Sequence, residues 1–378
     1  MPKPTTRIAP AAATPIPLLD LRREYLAFRG EFLDACQRVL DSMQLLAGPE
    51  GRAFETEMAS FLGAKHVRGV ASGTDALRLA LRAAGIAAGH EVLIQANAFI
   101  AAVEAIADAG ATPVPVDVRE SDLGPDPEQM AARITPRTRA ILVVHLYGMP
   151  IDLPPVVELA RTRDLALIED CSHAHGATFD GRCVGTFGRA GAFSLGVVKN
   201  LAAYGDAGMV STDDDELAQR VRWLGTHGQV KKNEHAFYGG NSRLDELHAA
   251  MLRVKLKHLD ARNARRAQIA AHYDERLAGL VVTPPADPRR VAVYHQYVLR
   301  TPKRDELRAF LTAEGIETGV HYPTPIHRQV ARRTLYADAP ALPHAERTAR
   351  EILSLPVFPD LTDAEVERVA DTVARFFE

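Results

Sequence analysis

Between about residues 75 and 224, short apolar runs alternate with amphipathic segments, and this alternation limits the available folds more than any other feature. Strand-like runs occur at Glu91-Ile94, Thr112-Val118, Arg139-His145, Leu165-Glu169, Gly191-Ser194 and Met209-Thr212. Stretches with helical periodicity lie between most of them, at Asp75-Ala84, Ile100-Ala109, Pro127-Ile134, Leu153-Arg163 and Asp214-Leu224. Strands that are apolar along their whole length need cover on both faces, and parallel neighbours need connections long enough for a helix. The pattern predicts an α/β fold with a mainly parallel sheet covered by helices. Ligands in such sheets bind beyond the carboxyl ends of the strands, so the residues just after each apolar run are the candidate site.

A chain of 378 residues exceeds what one core organises. A large domain is expected over residues 18–280, closing with a long helix at about 243–280. The Pro284-Pro285 pair marks a break, and a small α+β domain follows over 281–378. Its strands are expected near Tyr294-Arg300 and Thr318-Tyr322, and its helices near Asp305-Glu314, Pro343-Leu353 and Asp363-Phe377. Residues 1–17, rich in Pro, Ala and Thr, read as a mobile tail without the apolar core of a signal peptide. No apolar run reaches membrane-spanning length, so no membrane partner is expected. A formal net charge of -3 supplies no electrostatic footprint for nucleic acid. Cys36, Cys171 and Cys183 form neither a CxxC pair nor an even disulfide set, which implies no metal site and a cytoplasmic location.

Three stretches carry the chemistry. Lys199 follows the Gly191-Ser194 run in a segment with almost no other charge, flanked by Val197, Val198 and Leu201. Desolvation there depresses a lysine pKa and favours imine formation with an aldehyde. Asp170 ends the Leu165-Glu169 run and presents a carboxylate at the sheet edge, whereas Glu169 points the other way. Ser72-Gly73-Thr74-Asp75 opens a helix, where hydroxyls and free N–H groups suit a phosphate, although a plain helix cap looks the same. Ser194 adds a hydroxyl, and Phe99 is a flat face for stacking or a core residue. An amine for an aldehyde, a carboxylate for a ring nitrogen and a phosphate turn together point to pyridoxal 5'-phosphate.

With these residues the chain resembles the DegT/DnrJ/EryC1/StrS aminotransferases, fold type I (aspartate aminotransferase-like) pyridoxal phosphate enzymes that aminate nucleotide-linked keto-sugars. The markers run from Leu18 almost to the C-terminus. They are Gly48-Pro49-Glu50, Ser72-Gly73-Thr74-Asp75-Ala76-Leu77, Val144-His145-Leu146-Tyr147-Gly148, Glu169-Asp170, Ala174-His175-Gly176-Ala177, Lys199-Asn200-Leu201, Tyr204-Gly205-Asp206, Asn241-Ser242-Arg243-Leu244-Asp245-Glu246, His321-Tyr322-Pro323 and Leu355-Pro356. The resemblance implies that Lys199 carries the cofactor, Asp170 pairs with its ring nitrogen, Gly73, Thr74 and Ser194 bind its phosphate, and Phe99 covers the ring. It also implies a homodimer with shared active sites, in which Asn241 serves the neighbouring subunit. His321 and Tyr322 are implied to face the substrate, with Arg243 and His327 as weaker candidates. Arg243, Lys231, Lys232 and Arg189 are cations for a pyrophosphate, each equally readable as a surface charge. The implied reaction moves an amino group from L-glutamate, by way of pyridoxamine 5'-phosphate, to a keto-sugar.

Two departures stand out. His173 occupies a position where many relatives have Gln or Ser facing the cofactor's phenolic oxygen; it still donates, but a histidine titrates near neutrality, so a pH-dependent ring is expected. Leu195-Gly196-Val197-Val198 lacks the bulk that relatives often carry before the lysine. Other readings are a lyase or dehydratase on the same fold, an aminotransferase for a non-nucleotide cyclic ketone, and a non-catalytic regulatory homologue. Dehydratase relatives often replace the lysine with histidine, so Lys199 weighs against that course.

Overall fold

The computed structural model describes residues 14–335 and 340–378. Two helices, α1 (Leu21–Ser42) and α2 (Pro49–Leu62), lead into β1 (His66–Val70) and α3 (Gly73–Ala83). Strand and helix then alternate through β2 (Glu91–Gln95), α4 (Ile100–Asp108), β3 (Thr112–Val116), α5 (Pro127–Ala132), β4 (Thr138–Val144), α6 (Leu153–Thr162) and β5 (Ala166–Asp170). A short hairpin, β6 (Thr178–Phe179) and β7 (Arg182–Cys183), precedes β8 (Ala190–Ser194), β9 (Gly208–Thr212) and α7 (Asp215–Gly225). The six sheet strands expected from the sequence all form, each within a residue or two of its expected bounds. β1, which the sequence reading lacked, pairs antiparallel with β9 at one edge.

The sheet order is β1-β9-β8-β5-β4-β2-β3. β8, β5, β4, β2 and β3 run parallel, and β9 is antiparallel to both neighbours. Alternate residues of one strand face opposite layers. Leu142 and Ile168 pack with Ala80, Ile106 and Val221 of α3, α4 and α7. Ile141, Val143 and Leu167 pack with Phe54, Met58, Val156 and Leu252 on the other side. The strands are therefore buried on both faces, as a parallel sheet requires.

Beyond the sheet, β10 (Gln229–Lys231) and β11 (Glu234–His235) form an exposed hairpin. The single helix expected at 243–280 is two helices, α8 (Glu246–Leu256) and α9 (Leu259–Leu277), broken at Lys257-His258. The two parts serve different bodies. Ala250 and Val254 of α8 pack on Phe32, Ala35 and Val39 of α1, whereas Ile269, Tyr273 and Leu277 of α9 enter the core of the C-terminal unit. At the break His258 stacks on Phe28 with ring centroids 4.3 Å apart.

After the two-residue β12 (Arg290–Val291), the C-terminal unit pairs β13 (Tyr297–Arg300) antiparallel with β14 (Ile352–Leu355), flanked by α10 (Arg304–Ala313), α11 (Pro343–Glu351) and α12 (Asp363–Phe377). Two expectations fail here. Thr318-Tyr322 is not a strand, because only Gly319 bridges Ser354 before Pro323 turns the chain toward the cleft. The end of the expected Pro343-Leu353 helix is instead the start of β14, whose Leu353 and Leu355 are buried against α9 and α12. Of the expected N-terminal tail, residues 1–13 lie outside the described residues. Ile16 is fully buried and bridges Ile316, so the packed chain starts before Leu18. Among the described residues no helix is long and apolar enough to cross a membrane.

Gly191 shows how tightly β8 is set. A Cβ there would come 2.5 Å from the Gly185 Cα and 2.5 Å from the Ser211 Oγ, inside any real contact distance. Gly191→Ala is expected to destabilise the fold by about 1–3 kcal/mol through overpacking, read as a lower urea midpoint at unchanged slope.

Candidate active site

One cleft gathers most of the residues singled out from the sequence. Gly73, Thr74, Phe99, Asp170, His173, Ser194, Lys199 and Tyr322 line a space of about 430 Å³ at the carboxyl ends of β4, β5 and β8. Ser72, Ser172, Asp206 and the Val197-Val198 pair complete much of its wall.

β5 sets the electrostatics with two consecutive carboxylates on opposite faces. Glu169 is fully buried and accepts from the backbone N–H groups of Gly185 (2.9 Å), Phe187 (2.8 Å) and Gly188 (2.7 Å). The Nε2 of His145, 3.0 Å away, is its fourth donor, because the His145 Nδ1 already accepts from Ile151 N–H. A carboxylate so saturated is structural. Asp170 accepts from one backbone donor, the N–H of Ser172 at 3.0 Å. Burial raises its pKa against the pull of Ser172 and of the nearby Lys199 charge. Such a group is stabilised by a cationic N–H donor entering the cleft.

Lys199 is held by a turn in which its N–H donates to Gly196 O at 2.9 Å. Burial lowers its amine to about 8, partly opposed by Asp170. At neutral pH an appreciable fraction is thus unprotonated, the form that attacks a carbonyl. His173, at the cleft wall, accepts from Tyr147 N–H at Nδ1 (3.2 Å), so its proton sits on Nε2. Its ring lies 4.4 Å from that of His295. Burial first, and then the Lys199 charge, push His173 well below the ordinary histidine value. The expected titration near neutrality is therefore corrected: the imidazole is neutral at working pH and acts as a fixed Nε2–H donor. The same causes lower His175 to about 3 and His321 to about 4.

At the opposite end of the cleft stands the N-terminus of α3. The Ser72 hydroxyl caps Asp75 N–H at 3.1 Å, which leaves the first helical N–H groups, Gly73 and Thr74, without intrahelical acceptors. Gly73 is required there, because a Cβ would fall 2.4 Å from the Cβ of Ser194. Free N–H groups at a positive helix end beside two hydroxyls are an anion cradle. Phe99 and Tyr322 form the lip, with ring centroids 5.0 Å apart and planes 35° apart. The donor-rich cradle, the under-partnered Asp170 and the Lys199 amine lowered to about 8 fit the phosphate, ring nitrogen and aldehyde of pyridoxal phosphate.

Other candidates fall elsewhere. Asn241 and Arg243 are exposed and do not line this cleft. Lys231 pairs with Glu234 at 3.6 Å and Arg189 with Asp214 at 3.3 Å, both at the surface, and Lys232 is exposed. His327 is neither a surface histidine nor a lining residue. Its short turn packs under α11, where it is buried with Nε2 3.1 Å from Glu346. The sequence reading passed over Ser172, Asp206, His295 and Tyr147; of these, Tyr147 and Asp206 lie inside motifs that were noticed without a role.

The architecture is that of fold type I pyridoxal phosphate-dependent transferases. The chain belongs to the DegT/DnrJ/EryC1/StrS aminotransferase family, whose sequence pattern matches residues 27–374. It is 45% identical over 374 residues to dTDP-3-amino-3,4,6-trideoxy-alpha-D-glucose transaminase of Streptomyces venezuelae, covering 97% of this chain and 98% of that one. Among solved structures, DesV of S. venezuelae in complex with a ketimine intermediate superposes with a TM-score of 0.94 at 45% identity, covering 97% of this chain and 99% of DesV. NtdA of Bacillus subtilis with bound pyridoxamine phosphate gives a TM-score of 0.90 at 28% identity, covering 97% and 86%.

In the cofactor-free protein, 13C-methylated Lys199 is expected to titrate near pH 8 by NMR, against the ordinary 10.5. Asp170→Asn should lower that midpoint further, since the carboxylate raises it. An unfolded lysine keeps its higher value, so this group adds stability as pH rises from about 8 toward 10.5.

Proposed function

We propose that this protein is a pyridoxal 5'-phosphate-dependent aminotransferase that moves an amino group from an amino acid, L-glutamate, to a nucleotide-linked keto-deoxysugar. The observation that carries this reading is the meeting of Lys199, Asp170 and the α3 N-terminus in one cleft. When bound, the cofactor supplies an aldehyde for the amino group and a cationic ring that takes up the electron pair left by a departing proton.

The chain's own residues do the rest. Gly73 and Thr74 N–H groups, with Ser194, hold the phosphate against the helix end. Asp170 would keep the ring-nitrogen proton in place, and the Nε2–H of His173 would be the donor for the ring's phenolic oxygen. Phe99 covers the ring face and limits water. Lys199, with its amine near 8, would accept the proton from the nitrogen-bearing substrate carbon and return it at the carbon on the other side of that nitrogen. Holding both sites in one cleft makes the transfer effectively unimolecular, an advantage of about 7 kcal/mol or more. Retention of Lys199 favours transamination over the dehydratase course.

The same reading makes the protein a homodimer acting in the cytoplasm. Among the described residues, Asp170, Asp206 and Lys199 are the charged ones lining the cleft, with no arginine. A phosphate and a sugar pyrophosphate call for more donors than this. Asn241 and Arg243, exposed on their own protomer, supply them to the adjacent cleft. The dTDP-linked sugar in the name of the S. venezuelae transaminase supports a nucleotide-linked acceptor. The free thiols of Cys36, Cys171 and Cys183 suit a reducing compartment.

Two measurements test this. Borohydride should fix the cofactor to a peptide containing Lys199, and Lys199→Ala should lose that label and at least about a thousandfold in turnover of L-glutamate with keto-sugar nucleotides, followed by mass spectrometry; label on another lysine would refute the assignment. Lys199→Ala and Asn241→Ala proteins, each impaired alone, should recover about a quarter of wild-type activity when co-refolded, because half the dimers then hold one intact shared site. No recovery would leave Asn241 without its role across the dimer.

A further inference from the structure

We propose that Tyr147 is a positioning residue that ties the His321-Tyr322 turn of the C-terminal unit to the cofactor wall of the large one, and so sets how firmly the cleft grips its larger substrate. The inference rests on the reading above only for which substrate is gripped. Tyr147 stands behind the cleft, outside its lining, just past the carboxyl end of β4. It is buried and holds φ 62° and ψ 2°, left-handed backbone that a residue with a Cβ seldom adopts. Strained backbone persists where the surroundings over-determine it, and it concentrates where function uses it.

Three hydrogen bonds over-determine Tyr147. Its N–H donates to the Nδ1 of His173 at 3.2 Å, which fixes the ring that faces the cofactor. Its carbonyl accepts from Gln296 N–H at 3.2 Å, in the segment that leads into β13. Its hydroxyl donates to the carbonyl of His321 at 2.6 Å. The neighbouring Gly148 is also left-handed, at φ 91°, and a Cβ there would meet His295 N at 2.8 Å and the His173 carbonyl at 2.9 Å. The segment before β13 and the loop after β4 are thus in backbone contact here, Val293 N–H donating to the Gly148 carbonyl at 2.9 Å. Burial pushes the Tyr147 phenol above its ordinary pKa, so the hydroxyl remains a donor.

His321 has a second tether, Nδ1 to Ser354 Oγ at 2.8 Å. Ser354 belongs to the C-terminal unit itself, so of these two side-chain tethers only Tyr147 reaches from the large one. Tyr322, carried by the same turn, completes the lip with Phe99. A five-carbon donor is small beside a cleft of about 430 Å³, whereas a sugar nucleotide is long enough to reach its lip. Loosening the turn therefore weakens the larger substrate more than the smaller.

The test compares wild-type holoenzyme with Tyr147→Phe, which keeps the ring and removes the hydroxyl. Backbone hydrogen exchange over residues 319–326 should rise three- to tenfold, about the loss of one buried neutral hydrogen bond, with residues 166–172 unchanged. In half-reactions, KM for dTDP-3-amino-3,4,6-trideoxy-α-D-glucose, run in reverse, should rise by a similar factor at nearly constant kcat, while L-glutamate stays within about twofold. Unchanged exchange, or equal losses with both substrates, overturns the proposal. So does a turn freed by Ser354→Ala and not by Tyr147→Phe. A wild type that reacts with glutamate but not with this sugar counts against the acceptor class, and the exchange comparison then decides the role of Tyr147.

Discussion

Two opposite charges withdrawn from solvent at the carboxyl ends of the parallel strands, Asp170 buried and Lys199 half-buried, are the constraint on which the rest of the molecule depends. Each is costly to bury alone, and neither has the full set of partners a purely structural charge would have. The contrast with Glu169, one residue earlier on the same strand, is instructive. Four donors from the protein saturate Glu169, whereas Asp170 is left with a single backbone donor. Strand alternation sends one carboxylate into scaffolding and the other into a cleft, so the strand that builds the core also presents the chemistry.

Around this pair lies a shell of histidines that carry no charge at working pH. Burial and the field of Lys199 lower His173, His175, His295 and His321 together. Positive charge in that half of the cleft is thereby concentrated on the lysine, and hydrogen bonds hold the rings of His173, His295 and His321 in place. The tautomer of His173 follows from a single backbone N–H, that of Tyr147. Orientation and charge state at the cofactor wall are thus set by groups that never touch the substrate, which is how preorganised sites hold their geometry.

The division into two bodies serves the same end. α1 and α8 belong with the sheet, while the end of α9, the Ile16 strap and α12 belong with the C-terminal unit. The cleft mouth lies between them, with Phe99 on one side and Tyr322 on the other. Arg23 of α1 pairs with Glu365 of α12 (2.7 Å), and Arg262 near the start of α9 pairs with Asp360 in the turn before α12 (2.7 Å). Both pairs are partly exposed and contribute modestly to stability, so the relation of the units rests more on the shared α9, on the backbone contacts at Tyr147, Gly148 and Ile326, and on the start of α11, whose His344 and Ala345 N–H groups donate to Asp117.

The sequence by itself determined the sheet, because period and length of the apolar runs leave little choice once both faces must be covered. It also singled out Lys199 and Asp170, each just beyond a run whose end is readable, and the Ser72-Thr74 turn, from its hydroxyls at the start of a helix. It did not reveal β1, a half-buried edge strand without a continuous apolar run, or β14, whose residues continue a helical pattern until pairing with β13 claims them. Only tertiary structure decided that His327 is buried against Glu346 instead of facing solvent, that His173 stays neutral, and that Tyr147 joins two bodies 174 residues apart in sequence at His321. The reason is physical: periodicity records which face of an element is buried, whereas a pKa, a tautomer or a strained dihedral depends on which distant groups pack against it.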